Sequence, residues 1–219
     1  PRSGQALGLK AWCLSQEVTY LWSDDVERDK RLALALAEKA AEMSEPDALV
    51  YTMIGAAFSI LNIDQSRARV FIERALALDP TLAWAWTRLG FIQAYSGEPR
   101  EGMASLRRAI LLSPDDPVRF NAYAGMATCL FMIGDYAEAA KQARQALDAR
   151  PGMIWANRLL ATSAALGGDL ALARSAVARL LQERPGMTLA EVRQAVHNLG
   201  GPELERYMEG LRLAGLPEG

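Results

Sequence analysis

Small and apolar positions recur along most of the chain in a helical rhythm. Tyr51, Ile54, Gly55 and Phe58 share one face, and the same spacing returns at Trp86, Leu89 and Gly90, and at Tyr123, Met126, Ala127 and Leu130. It returns again at Leu160, Ala161 and Ala164. Each set is followed by another: Ala68, Ile72 and Ala75; Gly102, Leu106 and Ala109; Ala139, Ala143 and Ala146; Ala173, Val177 and Leu180. Steps of three and four place each set on one side of a helix. A proline closes every pair of helices, at Pro46, Pro80, Pro114, Pro151 and Pro185, with intervals of 34, 34, 37 and 34 residues. A fixed period of this size predicts a solenoid of helical hairpins, stabilised by burial between neighbours rather than by one central core.

The turns inside the hairpins are expected at Gly97-Glu98-Pro99, Gly134-Asp135-Tyr136 and Gly168-Asp169, with Pro99 tolerated in the first turn of its helix. Gly90 and Gly102 are small because the two helices of their hairpin approach closely. About three extra residues near Asp116–Arg119 account for the 37-residue interval. They are expected to lengthen a loop and leave the hairpin intact. The whole chain reads as a single all-α domain over 1–219. It comprises a degenerate first hairpin (6–45), four repeat units (46–80, 81–114, 117–151 and 152–185) and capping helices (186–219). In the first hairpin a helix runs from Ala6 to about Trp22, and Ser23-Asp24-Asp25 starts a second that runs to about Met43. The tail holds a short helix from Thr188 to about Val196 and another that opens at Gly201-Pro202 and stops at Gly215. On the last helix Leu204, Tyr207, Met208 and Leu211 form one apolar stripe, whose expected role is to cap the final hairpin.

Trp86-x2-Leu89-Gly90, followed by Leu106, Ala109 and Pro114, resembles the tetratricopeptide repeat family, and in-phase matches extend over residues 6–186. The resemblance implies a right-handed α-solenoid of about five hairpins whose first helices line a concave side. Four strings are similar to the carboxy-terminal repeat region of bacterial class III adenylate cyclases: Leu82–Gly90, Gly97-Glu98-Pro99, Leu112-Ser113-Pro114-Asp115-Asp116-Pro117 and the ending Leu204–Arg212 with Ala214-Gly215-Leu216-Pro217-Glu218. In that family a cyclase or winged-helix domain lies upstream. The resemblance therefore implies a regulatory or scaffolding region without activity of its own.

Ala and Leu dominate a chain that is 51% hydrophobic, which favours helix. With 24 Lys and Arg against 26 Asp and Glu, the formal charge is −2. No basic excess is present to neutralise phosphates, so nucleic acid is not an expected partner. No apolar run reaches the ~18 residues a bilayer requires, so no membrane partner is expected. Cys13 and Cys129 lie far apart in apolar helical surroundings with no secretory signal, which points to reduced thiols and a cytoplasmic protein. The chain opens Pro1-Arg2-Ser3 and is expected to be a fragment or a processed chain.

No nucleophile, metal or cofactor pattern stands out, so no catalytic, metal or cofactor-binding residue is expected. His197 is the only histidine and cannot form a cluster. Gly167-Gly168 and Gly200-Gly201 lack a following Lys-Ser/Thr and read as turns. Asp24-Asp25 and Asp115-Asp116 fall where helices start and suit capping. Arg107, Arg108, Arg144, Arg150, Arg174 and Arg179 fall on second helices and read as a solvated face.

Function is expected on the first helices. Trp84, Arg88, Phe91 and Tyr95 step by four, three and four, on a stripe apart from the Trp86–Leu89–Gly90 packing face. Asn121, Thr128, Phe131 and Met132 occupy comparable positions in the next unit, and Trp155, Arg158, Thr162 and Leu166 in the one after. Aromatics interleaved with Arg are enriched in binding hot spots, and each Arg follows a Trp closely enough to stack on it. The candidate peptide-binding groove is therefore Trp84, Arg88, Phe91, Tyr95, Asn121, Thr128, Phe131, Trp155 and Arg158. The rival expectation is that Trp84 and Trp155 merely pack between repeats. The expected partner is a protein or peptide, or an upstream domain of the same polypeptide. A free-standing adaptor that self-associates is the alternative, and an unrecognised enzyme is a third.

Overall fold

The computed structural model describes residues 3–43, 45–61, 64–196 and 199–219. Among the described residues all regular structure is helical. The helices are α1 (Gly4–Thr19), α2 (Val26–Met43), α3 (Ala48–Ile60), α4 (Gln65–Leu78), α5 (Ala83–Tyr95) and α6 (Pro99–Leu112). They continue with α7 (Phe120–Ile133), α8 (Tyr136–Ala149), α9 (Ile154–Leu166), α10 (Leu170–Glu183), α11 (Leu189–Ala195) and α12 (Gly201–Leu213). All five spaced prolines fall between helices, as the period requires.

The chain divides into two compact units, residues 1–114 and 115–219. The boundary falls beside the loop that carries the extra residues of the long interval. There the Asp116 carboxylate accepts from the Val118 N–H at 2.8 Å and the Asp116 carbonyl from the Arg119 N–H at 3.0 Å. In unit 1 the hairpins are α1/α2, α3/α4 and α5/α6, with α1 also against α3 and α4 against α5. In unit 2 they are α7/α8 and α9/α10, with α8 against α9 and α12 against α9.

Local chemistry starts these helices where the sequence suggests. Asp25 accepts from the Arg28 N–H at 2.9 Å, Asp47 from Val50 at 2.9 Å, and Asp169 from Leu172 at 2.9 Å. Each satisfies an amide that the helix itself leaves without a partner. Gly134 and Gly168 hold φ of +91° and +89° at the hairpin turns, a region L side chains rarely adopt. At the amino terminus α1 stops at Thr19 rather than Trp22, and Leu21 takes a φ of +60°.

First and second helices differ in burial. α5 buries every residue from Thr87 to Ala94, and α9 every residue from Ala156 to Ala165. Such helices are surrounded by others on most sides. α8 buries only Ala139, Ala140, Ala143, Ala146 and Leu147. The second-helix arginines Arg107, Arg108, Arg144, Arg174 and Arg179 are all exposed, as expected; Arg150 is exposed too, but it follows α8 rather than lying on it. Cys129 is buried, and burial pushes its thiol pKa up to about 12. Cys13, expected in an apolar setting, is exposed on α1.

The hairpins close on small residues. A Cβ at Gly90 would stand 2.5 Å from Leu106 Cγ and 2.9 Å from the Gly102 carbonyl oxygen. A Cβ at Gly55 would stand 2.7 Å from Ile72 Cδ1 and 3.0 Å from the Ala68 carbonyl oxygen. Backbone cannot retreat as a side chain can, so a methyl group here separates the helices.

Gly90→Ala should lower stability by about 1–3 kcal/mol, overpacking outweighing the better helix propensity of alanine. Gly8→Ala on α1 is the control. Its Cβ would meet Met53 Cβ at 3.5 Å, an ordinary contact. It should be neutral or stabilise by up to about 1 kcal/mol. Urea unfolding followed by circular dichroism measures both; equal effects would show that helix propensity alone is operating.

Candidate binding surface

The nine sequence-selected residues fall four in unit 1 and five in unit 2. In unit 1 α5 carries Trp84, Arg88, Phe91 and Tyr95. Trp84 is half-buried and meets Trp12 of α1 edge to face, ring centroids 5.5 Å apart at 74°. The Phe91 and Tyr95 rings stack at 6.1 Å. Arg88 is only 8% exposed. Its guanidinium carbon lies 4.6 Å from the centre of the Phe91 ring. The ring it uses is thus one turn onward, not that of Trp84. Its Nε is buried without a hydrogen-bond partner. Burial lowers its pKa to about 10, against weaker opposing effects of Tyr95 and Tyr20.

In unit 2 α7 carries Asn121, Thr128 and Phe131, and α9 carries Trp155 and Arg158. Asn121 and Trp155 are half-buried. Thr128 is buried and donates to the Ala124 carbonyl at 3.0 Å. Phe131, 1% exposed, has the Tyr136 and Tyr207 rings each at 5.7 Å. Arg158 is 3% exposed, and its Nε and Nη1 are buried without hydrogen-bond partners.

These residues were expected on an open face. Arg88, Phe91, Thr128, Phe131 and Arg158 are instead buried, and the terminal helices are a physical reason for it. Trp12 and Tyr20, on and just after α1, approach α5. In unit 2, α12 lies on α9: the Thr162 hydroxyl donates to the Tyr207 carbonyl at 2.8 Å. A Cβ at Gly210 would stand 2.0 Å from Thr162 Oγ1 and 2.7 Å from the Thr162 carbonyl oxygen. Glycine at 210 is what lets the two backbones come so close. Tyr207, Met208 and Leu211 are buried as their stripe predicts, and Leu204 is half-buried. The apolar stripe was legible; that it meets the first helix of the last hairpin was not. An interior glycine flanked by Met208-Glu209 and Leu211 was the available signal.

Residues 81–152 match the tetratricopeptide repeat family model. Among solved structures, the type IV pilus biogenesis factor PilW is similar at TM-score 0.66 and 20% identity, covering 95% of this chain and 93% of its own. TTC0263, a thermophilic tetratricopeptide protein of Thermus thermophilus, is similar at TM-score 0.66 and 16% identity, covering 87% and 98%. YrrB, described as a tetratricopeptide protein with an unusual peptide-binding site, aligns at TM-score 0.50 and 21% identity over 73% and 80%. No curated protein matches the sequence. The all-α tetratricopeptide-like fold agrees with the helical-hairpin reading, and such repeats suggest a protein-interaction scaffold. Among the described residues no three His, Cys, Asp or Glu side chains group as metal ligands, and no helix is long and apolar enough to cross a membrane. His197 lies outside the described residues.

Two buried guanidiniums without a carboxylate partner are costly to fold around, since a buried charge needs compensation. Arg158→Met keeps most of the length and removes the charge, and should raise stability by about 1–4 kcal/mol. Arg88→Met should gain less, because it forfeits the Phe91 ring contact. Thermal unfolding checks both; a drop in melting temperature for Arg158→Met would mean that the charge is compensated in the folded chain.

Proposed function

We propose that this chain is a protein-binding repeat module serving as the regulatory part of a larger bacterial signalling protein in the cytoplasm. The larger protein is of the class III adenylate cyclase kind or a transcriptional regulator with a winged-helix domain. The observation that carries the binding reading is the set of aromatic and charged side chains on the first helices of both units, with a buried Arg in each: Arg88, whose Nε lacks a hydrogen-bond partner, and Arg158, whose Nε and Nη1 do. A stack selected for stability alone gains nothing from such charges. The peptide-binding description of YrrB supports a similar use of the fold. The strings Leu82–Gly90 and Leu204–Arg212 support the cyclase-type context, and a buried, unreactive Cys129 suits a reducing compartment.

A photo-reactive residue placed at Trp84 or Trp155, both half-buried, should cross-link one specific protein in cells, or an upstream domain of the same polypeptide. Placement at the exposed Arg107 or Arg179 should not. Capture from the second-helix positions alone would remove the assignment. A solution mass at a multiple of 23.9 kDa would favour the self-associating adaptor instead. The purified chain should form no cyclic nucleotide from ATP; product in proportion to protein concentration would contradict the regulatory reading.

A further inference from the structure

The first-helix face of unit 2 already holds a helix, and that helix meets it with the wrong electrostatics. α12 is seated on α9 through the Thr162–Tyr207 hydrogen bond and the Gly210 contact, and on Phe131 of α7 through the Tyr207 ring. Arg158 is buried here, one helical turn before Thr162 on α9. The carboxylates of α12 are engaged elsewhere. Glu203 pairs with Arg206 at 3.1 Å, Glu205 with Arg193 at 2.7 Å and Glu209 with Arg212 at 2.6 Å. The resident helix therefore brings three acids to this unit and none to the buried guanidinium.

We propose that this face is a docking site for a partner helix carrying a carboxylate on its apolar side, and that α12 is a resident occupant which such a helix displaces. The site would read the partner through Arg158, whose planar donors match a carboxylate. Phe131 supplies an apolar wall, and Thr162 offers a hydroxyl and a close backbone approach. The partner replaces the contacts of Tyr207, Met208 and Leu211 and adds the ion pair that α12 leaves unmade. This rests on the protein-binding reading above and adds to it the class of ligand, the residue that selects it and competition from within the chain.

The test uses the full chain and a labelled peptide of residues 201–219 in two forms, Tyr207→Glu and Tyr207→Gln. These are isosteres, so their difference isolates the charge. The Glu peptide should bind about tenfold more tightly than the Gln peptide, and Arg158→Met should bring the ratio to one. In the full chain Gly210→Leu or the milder Gly210→Ala should loosen α12 against Thr162 and raise the affinity for both peptides about tenfold. Circular dichroism confirms that the variants keep their helicity. Should both lose it, the Glu-to-Gln ratio on the wild-type chain decides alone. Equal binding of the two peptides, a preference that survives Arg158→Met, or no binding of either peptide overturns the proposal. Cross-linking from Trp84 together with any of those results would leave the broader protein-binding function standing.

Discussion

The closeness of the two helices in each hairpin is the constraint from which the rest of each unit follows. Helices of 13 or 14 residues are marginal on their own in water, because helix nucleation is costly and few hydrogen bonds repay it. Their stability has to come from packing. At Gly55 and Gly90 there is no room for a methyl group, so the second helix presses onto the backbone of the first and Ile72 and Leu106 fill the remaining space. Buried alanines recur on α2, α8 and α10. This close contact lets one hairpin bury the face of the next, and it leaves the first helices enclosed on most sides.

Enclosure has an electrostatic consequence. A first helix surrounded by others has little solvent left for a charged side chain, yet α5 and α9 each carry an arginine. Their surroundings differ. Arg88 rests against the face of Phe91, so the ring quadrupole takes part of the role that water would have had. Arg158 lies one turn before Thr162, on which α12 is seated, and has two nitrogens without hydrogen-bond partners. In a low-dielectric interior an unmatched charge weakens the fold and strengthens any interaction with an opposite charge that reaches it. The same arginine can be a stability defect in the isolated chain and an anchor in a complex.

The terminal segments show how repeat proteins end. A terminal hairpin exposes a sheet of apolar side chains that something must cover. In unit 2 the cover is α12, and the segment after it returns to α11, where the Leu189 and Ala190 amides donate to the Pro217 and Glu218 carbonyls at 2.7 and 3.1 Å. In unit 1 Trp12 of α1 reaches Trp84. Both terminal helices thus bear on residues that the repeat pattern leaves off its own packing face.

The amino-acid sequence by itself determined the hairpins. Proline spacing, turn glycines, aspartate caps and small residues at close crossings are local signals. They act within one hairpin or between adjacent ones, so a period of 34 residues is enough to reveal them. The sequence also marked the apolar stripe of the last helix, because amphipathicity is written in three- and four-residue steps. What only the tertiary structure decided is which surface that stripe covers. Arg88 and Arg158 sit at spacings that look like an open face, yet segments distant in the chain pack on their helices: Trp12 of α1, 72 residues before Trp84, and Tyr207 of α12, 45 residues after Thr162. Burial of that kind depends on long-range packing of segments with no periodic relation to one another. Pattern therefore located the charged residues but could not tell that the chain itself encloses them.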